Sequence, residues 1–252
     1  MSLPQVPPVS LYPADFETSS PIVSPNTPPF PSLIPLSHTT KRISLIPLSV
    51  EHIPDLWNHV GGAEKYMLYK YMPMGPFNTI EEFTTYIIWL TQPSEFGFVN
   101  WAIVLPTGKA VGIISLLNIV PAQRRVEVGH VLFSKGLQRT TEATEACYVL
   151  MDYVFRLGYE RVEWKCNREN EGSKRAALRL GFVEEGVFRR HMVVRGRRRD
   201  SWGGSLILEE WGVVKEALVE WLGVRNFDGE GVQRKRVEEI REEVGKGKDV
   251  LN

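Results

Sequence analysis

One stretch of this chain sets an acid beside a place for an anion. Val126 to Phe133 reads as a strand carrying Glu127, a short loop follows, and a helix opens near Arg139 through small residues such as Ala143 and Ala146. A helix N-terminus presents unbonded N–H groups and a partial positive charge, so it suits a phosphate. Gln138 and Arg139 stand just before it. A carboxylate next to an anion cradle is the pairing that a coenzyme-dependent group transfer needs.

Other residues offer chemistry or a plainer role. His130, with an ordinary pKa near 6.5, is an alternative proton acceptor. Strand alternation puts it on the face opposite Glu127 unless a bulge at Gly129 reverses the order, and a satisfied core histidine is the simpler expectation. Glu127 could equally pair with Arg124, Arg125 or another cation. Asn170 and Ser173 are good helix caps. Lys174 and Arg175 in the same first turn could meet phosphates or be solvated. Arg195-Gly196-Arg197-Arg198-Arg199-Asp200 is the densest positive patch, a hairpin tip that with Trp202 could also hold a nucleotide. Tyr66, Tyr69, Trp101, Trp164 and His191 are either core or an acceptor pocket.

The elements that must position these residues follow from pattern. Ile43 to Leu48 predicts a first strand, residues 51–59 a short helix with Pro54 in its first turn, and Asn78-Thr79-Ile80-Glu81 a capping box before a helix to about Leu90. Phe98–Leu105, Ala110–Val120 and Arg125–Phe133 read as an antiparallel meander, turned once at Pro106-Thr107-Gly108-Lys109. A helix from about Arg139 to Arg156 ends at Gly158. Then come a strand at Arg161–Cys166, a helix at Glu171–Leu180 with Gly181 as its cap, and a hairpin of Val187–Val194 and Ser201–Leu208. A last helix carries Trp211, Val214, Leu218 and Leu222. This order predicts a mixed α/β fold, its sheet largely antiparallel and flanked by helices, with one parallel strand step.

Bulk properties bound the rest. The 252 residues allow one large domain with tails, and 43% hydrophobic content suffices for a core. Lys+Arg and Asp+Glu balance at 30 each, so no overall field favours nucleic acid or an anionic membrane. Ten of the 17 prolines lie in residues 1–40, which predicts an extended tail, with Leu33, Ile34 and Leu36 able to clasp the domain and a docking peptide for a partner as the alternative. The domain is expected over 41–225, with a charged, weakly helical extension over 226–252. Cys147 and Cys166 lack metal-ligand spacing and predict buried, reduced thiols. With no signal-like start and no long apolar run, a cytoplasmic location is expected.

The order of elements resembles the GNAT superfamily of N-acetyltransferases, and within it the branch similar to ribosomal-protein-alanine N-acetyltransferases. Glu127-Val128-Gly129-His130-Val131 looks like that branch's E-x-G-x-x strand. Leu137-Gln138-Arg139-Thr140 with Ala143-Thr144-Glu145-Ala146 looks like its coenzyme loop and helix start. Asn170-Glu171-Gly172-Ser173 with Ala176-Ala177-Leu178-Arg179-Leu180-Gly181-Phe182 looks like its N-x-x-S…L-G-F signature. The likeness covers roughly residues 41–225. It implies an acyl-CoA N-acyltransferase fold, acetyl-CoA as cosubstrate, and acetyl transfer without metal to a primary amine, in a monomer or homodimer. A non-catalytic acyl-CoA sensor is the alternative. It further implies Glu127 as base, Ser173 as proton donor to the leaving sulfur, and coenzyme contacts from Val131, Phe133, Gln138, Arg139, Thr140, Thr141, Ala143, Thr144, Asn170 and Ser173. Thr141 and Ala143 stand where the superfamily's loop has glycines, which let backbone approach a diphosphate.

Overall fold

The computed structural model describes residues 25–92 and 97–249. The first 24 residues of the Pro-rich tail therefore lie outside the described residues. The strands are β1 (Leu36–Ser37), β2 (Ser44–Pro47), β3 (Val99–Val104), β4 (Ala110–Val120), β5 (Arg125–Phe133), β6 (Arg161–Asn167), β7 (Val183–Val194) and β8 (Arg197–Ile207). The helices are α1 (Ile53–Val60), α2 (Ile80–Thr91), α3 (Thr141–Arg156), α4 (Glu171–Arg179), α5 (Leu208–Leu222) and α6 (Val237–Asp249). One sheet joins the strands in the order β1-β2-β3-β4-β5-β6-β8-β7. Every neighbouring pair is antiparallel except β5 with β6. A parallel neighbour requires a crossover, and α3 supplies it.

Each face of the sheet is covered because its alternate side chains are apolar. On one face Val126, Val128 and Val162 pack with Ala146, Leu150 and Val154 of α3, and with α5. Phe155 stacks on Trp211 at 4.7 Å between ring centroids. On the other face Ala102, Ile113 and Leu132 meet Leu56 of α1 and Phe83 and Ile87 of α2.

A bulge in β5 decides what faces the site. Ile113 pairs with Leu132 while Ser115 pairs with Gly129, so two residues of β4 span three of β5. The extra residue is His130, at a left-handed φ of 47°. Such an insertion reverses the alternation beyond it. Val126 and Val128 face α3 before the bulge; Val131 and Phe133 face it afterwards.

The tail clasp differs from the expectation. Leu36 is 8% exposed, but Leu33 and Ile34 are 49% and 45% exposed. Extended, proline-rich backbone has unpaired carbonyls, and these make the contact instead. Tyr153 Oη donates to Ser32 O and accepts from Ser32 N, Trp101 Nε1 donates to Ile34 O, and Tyr159 Oη donates to Pro29 O. Glu145, fully buried on α3, accepts from Arg42 N at 3.0 Å and Ile43 N at 3.3 Å and pairs with the Arg42 guanidinium. The C-terminal segment, expected to be weakly helical, forms α6, with Val237 and Ile240 buried in the core. The cap of α2 lies one residue later than expected: Thr79 accepts from Glu82 N, and Glu82 reaches back to Asn78 N.

Candidate active site

β5 and β6 pair from Arg125↔Arg161 to Glu127↔Glu163 and then part. α3 and α4 open beside the gap. Between them lies a cavity of about 1350 Å³. Its wall includes all ten residues expected to contact coenzyme: Val131, Phe133, Gln138, Arg139, Thr140, Thr141, Ala143, Thr144, Asn170 and Ser173.

The mouth of α3 is an open anion site. Thr140 caps it, accepting from Ala143 N at 3.2 Å and donating to Leu137 O at 2.7 Å. The N–H groups of Thr141 and Glu142, in the first turn, have no helical carbonyl to meet. The residue that adopts a glycine-like conformation is Arg139, at φ 64°. Thr141 and Ala143 lie within the helix, so the absence of glycine there costs no backbone strain. Lys70, Arg139, Arg175, Arg179 and Arg241 line the cavity against two carboxylates, Glu142 and Glu238. None of these five cations makes an ion pair among the described residues. A donor set of this kind fits a phosphate-bearing coenzyme.

Asn170 is the N-cap of α4, its Oδ1 accepting from Ser173 N at 3.2 Å. Trp164 Nε1 donates to Ser173 Oγ at 2.9 Å, which orients the hydroxyl. Lys174 pairs with Glu171, whereas Arg175 is on the cavity wall.

Glu127 is not on that wall. Strand alternation turns it, with Glu163 and Lys165, to the opposite face of the sheet from Val126, Val128 and Trp164. It is 5% exposed. Its partner is not Arg124 or Arg125 but Lys165. Glu127 Oε2 accepts from Lys165 Nζ and from Asn118 Nδ2, both at 2.8 Å. Oε1 makes no hydrogen bond with the described residues. Lys165 also donates to Glu163 Oε2 at 2.5 Å, and Arg161 Nε reaches Glu163 at 2.9 Å. Burial pulls the Lys165 ammonium down, but Glu127 and Glu163 outweigh it and hold its pKa above the ordinary lysine value. Burial likewise raises Glu163, and Lys165 and Arg161 overcome this to hold it below the carboxylate range.

His130 sits in a closed relay. Tyr86 Oη bonds His130 Nε2, His130 Nδ1 lies 3.2 Å from Ser115 Oγ, Ser115 donates to Asn100 Oδ1 at 2.5 Å, and Asn100 Nδ2 donates to Leu90 O at 2.8 Å. Both ring nitrogens are occupied, as expected of a structural histidine. Burial pushes its pKa down to about 4. Its folded value is thus below the ordinary 6.5. Its contribution is constant above that pH, stability declines as the unfolded chain takes up a proton on acidification, and the decline levels off near pH 4. A pH titration of the imidazole resonances by NMR should find one ring still neutral at pH 5.

Of the residues expected to be either core or acceptor pocket, two are core. Tyr69 and Trp101 are fully buried, Tyr69 donating to Val60 O. Tyr66 is 59% exposed, and His191 bonds Ser201 on the edge hairpin. Of that set only Trp164 lines the cavity. The basic turn is anchored, since Arg195 Nη2 donates to the carbonyls of Tyr69 and Met74. Beyond the residues expected from sequence, the wall also holds Met67, Leu68, Tyr71 and Met72, and Trp221, Gln233 and Arg241 at its end. The run Tyr66-Met67-Leu68-Tyr69, apolar yet without a complete helical stripe, was the available signal for the first group. Both cysteines are buried and free. No cluster of metal-ligating side chains and no helix long and apolar enough to cross a membrane occurs among the described residues.

Comparison with known proteins agrees with this geometry. Residues 42–183 match the acetyltransferase (GNAT) domain. A GCN5-related N-acetyltransferase from Brucella melitensis is 34% identical, over 86% of this chain and 99% of that one, with a TM-score of 0.81. YdaF of Bacillus subtilis (strain 168), provisionally named a ribosomal N-acetyltransferase, is 32% identical over 124 residues, 49% of this chain and 67% of its own. The microcin C7 self-immunity acetyltransferase MccE, solved with acetyl-CoA and AMP, shares the fold at 22% identity and a TM-score of 0.61, over 70% of this chain and 99% of its own. With a sheet parted at β5 and β6, a cation-rich cavity at that parting and these relatives, the chain belongs to the GNAT family of N-acetyltransferases, whose acetyl donor is acetyl-CoA.

Proposed function

We propose that this enzyme acetylates a primary amine by direct attack, and that an α-amino group at a protein or peptide N-terminus is the acceptor it suits best. The observation that carries this reading is the single open oxygen of Glu127. It lies at the base of the strand parting, on the face opposite the coenzyme cavity. The donor and acceptor then approach from opposite faces and meet where β5 and β6 separate.

Acetyl-CoA supplies the acetyl thioester when bound. The residues of the chain do the rest. The α3 mouth and Arg139 hold phosphate, Val131 and Phe133 offer strand edge and apolar wall, and Ser173, oriented by Trp164, donates a hydrogen bond that stabilises the departing thiolate. Glu127 Oε1 accepts the proton of the amine, directly or through a water. An α-amine of pKa about 8 is partly neutral at pH 7, whereas a lysine near 10.4 is almost wholly charged, so a carboxylate base suffices for the first. The provisional name of YdaF points the same way. Direct attack is favoured over an acyl-enzyme because Cys147, the thiol on the cavity wall, is pushed up by burial to about 12. Residues 41–225 carry the groups that act on the amine and the thioester in this reading, and the buried thiols suit a reducing, cytoplasmic setting.

A thiol-release assay with acetyl-CoA across peptides with free N-termini, lysine side-chain mimics, polyamines and aminoglycosides tests it. Release should be fastest with free N-termini. Coenzyme binding with no release from any amine would instead assign a sensor role.

A further inference from the structure

The wall of the coenzyme cavity continues past residue 183, where the family match ends. Trp221 at the end of α5, and Gln233, Glu238 and Arg241 of the C-terminal segment, close one end of it. Asn170 and Ser173 mark the end near the strand parting. α4 runs from there to Arg179, and its nine residues separate the two ends by about 13 Å at 1.5 Å per residue.

This far end is built and incompletely satisfied. The Arg179 guanidinium lies over Trp221 at 4.4 Å and donates from Nη1 to Thr144 Oγ1 at 2.9 Å, leaving further donors unused. Arg241 Nη1 donates to Arg179 O at 3.2 Å, which fixes the second guanidinium against the C-terminal end of α4. Gln233 Nε2 is a buried amide nitrogen without a hydrogen-bond partner among the described residues. A buried donor left unmade is costly, and Gln233 is a wall residue, so a small turn of its side chain would bring this unpartnered amide to a ligand acceptor. Two arginines and an open amide against the single Glu238 describe a site for a phosphate-bearing group.

We propose that Arg179, Gln233 and Arg241 form a reading site for the 3′-phosphorylated nucleotide end of the coenzyme, so that the C-terminal segment selects CoA over its dephosphorylated form. The site rests on the assignment of the cavity to acetyl-CoA and is independent of the acceptor. It places the diphosphate at the α3 mouth, the thioester end at Ser173 and Trp164, and the nucleotide under α6. Glu238 is available there to accept from a hydroxyl or an amino group.

Calorimetric titration of the full chain with CoA and with 3′-dephospho-CoA tests this. The wild type should bind CoA at least about tenfold more tightly. Arg241→Gln should lose roughly ten- to a hundredfold in CoA affinity, the range for a charged hydrogen bond, with little change for 3′-dephospho-CoA. Gln233→Ala should show a smaller loss of the same pattern. Arg241→Lys, which keeps the charge, controls for folding alongside thermal melts and should retain part of the preference. Equal affinity of the wild type for the two coenzymes, or equal losses for both in Arg241→Gln and Gln233→Ala, would overturn the proposal. Failure of the amine panel would leave these titrations unaffected, so the two readings fail separately.

Discussion

Glu127→Gln should lower kcat by about 10²–10⁴-fold at neutral pH, the contribution of a positioned base. Glutamine keeps the shape of the side chain and can still bond Lys165 and Asn118, but it cannot accept a proton. Coenzyme affinity should not change, because Glu127 is absent from the cavity wall. The deficit should also shrink as pH rises through about 8, where a growing share of an α-amine acceptor is already neutral. Full turnover in the variant would make Glu127 a purely structural carboxylate, tied to Lys165 and nothing more.

Lys165→Met should have the largest effect on stability. Lys165 is the one cation within ion-pair distance of Glu127 among the described residues, and it also bridges to Glu163. Its removal leaves a nearly buried carboxylate without a countercharge, at a cost of about 3 kcal/mol, the lower part of the range for a broken buried pair. For a domain of this size that corresponds to a fall in Tm of roughly 10 °C. Glu163 gives the sign of the pH dependence. Its folded pKa lies below the ordinary 4.5, so the stabilisation it shares with Lys165 is present above that pH and lost as pH falls through the lower folded value. The gap between wild type and Lys165→Met, measured by urea denaturation, should narrow in acid. Glu127→Gln in the same chain should restore part of the loss, because it removes the stranded charge. Additive losses in the double variant would mean that Lys165 does not stabilise the fold through Glu127.

What the sequence made legible was local. Thr140 ahead of Ala143 and Ala146 announces a helix mouth through side-chain size and capping chemistry, and the structure has that mouth open to the cavity. Asn170 and Ser173 are legible for the same reason. What escaped depends on contacts between distant residues. Lys165 reaches Glu127 only because the β5–β6 register brings their strands side by side over 38 positions. The bulge at His130 reverses the alternation of β5, so counting from Glu127 places Val131 and Phe133 on the wrong face. Resemblance to a family, not periodicity, identified those two. α6 looks like a solvated charged helix in sequence, since its moderate apolar stripe is fulfilled only by packing on α5. The wall residues Gln233 and Arg241 arrive with it.

Coenzyme binding depends above all on the grip of the α3 mouth on phosphate. Calorimetric titration of acetyl-CoA into the wild type and Arg139→Glu tests it. Arg139 supplies positive charge beside free helical N–H groups, and charge-assisted contacts of this kind contribute roughly 1.5–3 kcal/mol. Reversal of that charge should weaken acetyl-CoA binding at least about tenfold, in a protein whose melting curve stays cooperative. Identical affinities in the two proteins would contradict the assignment of this cavity to the coenzyme.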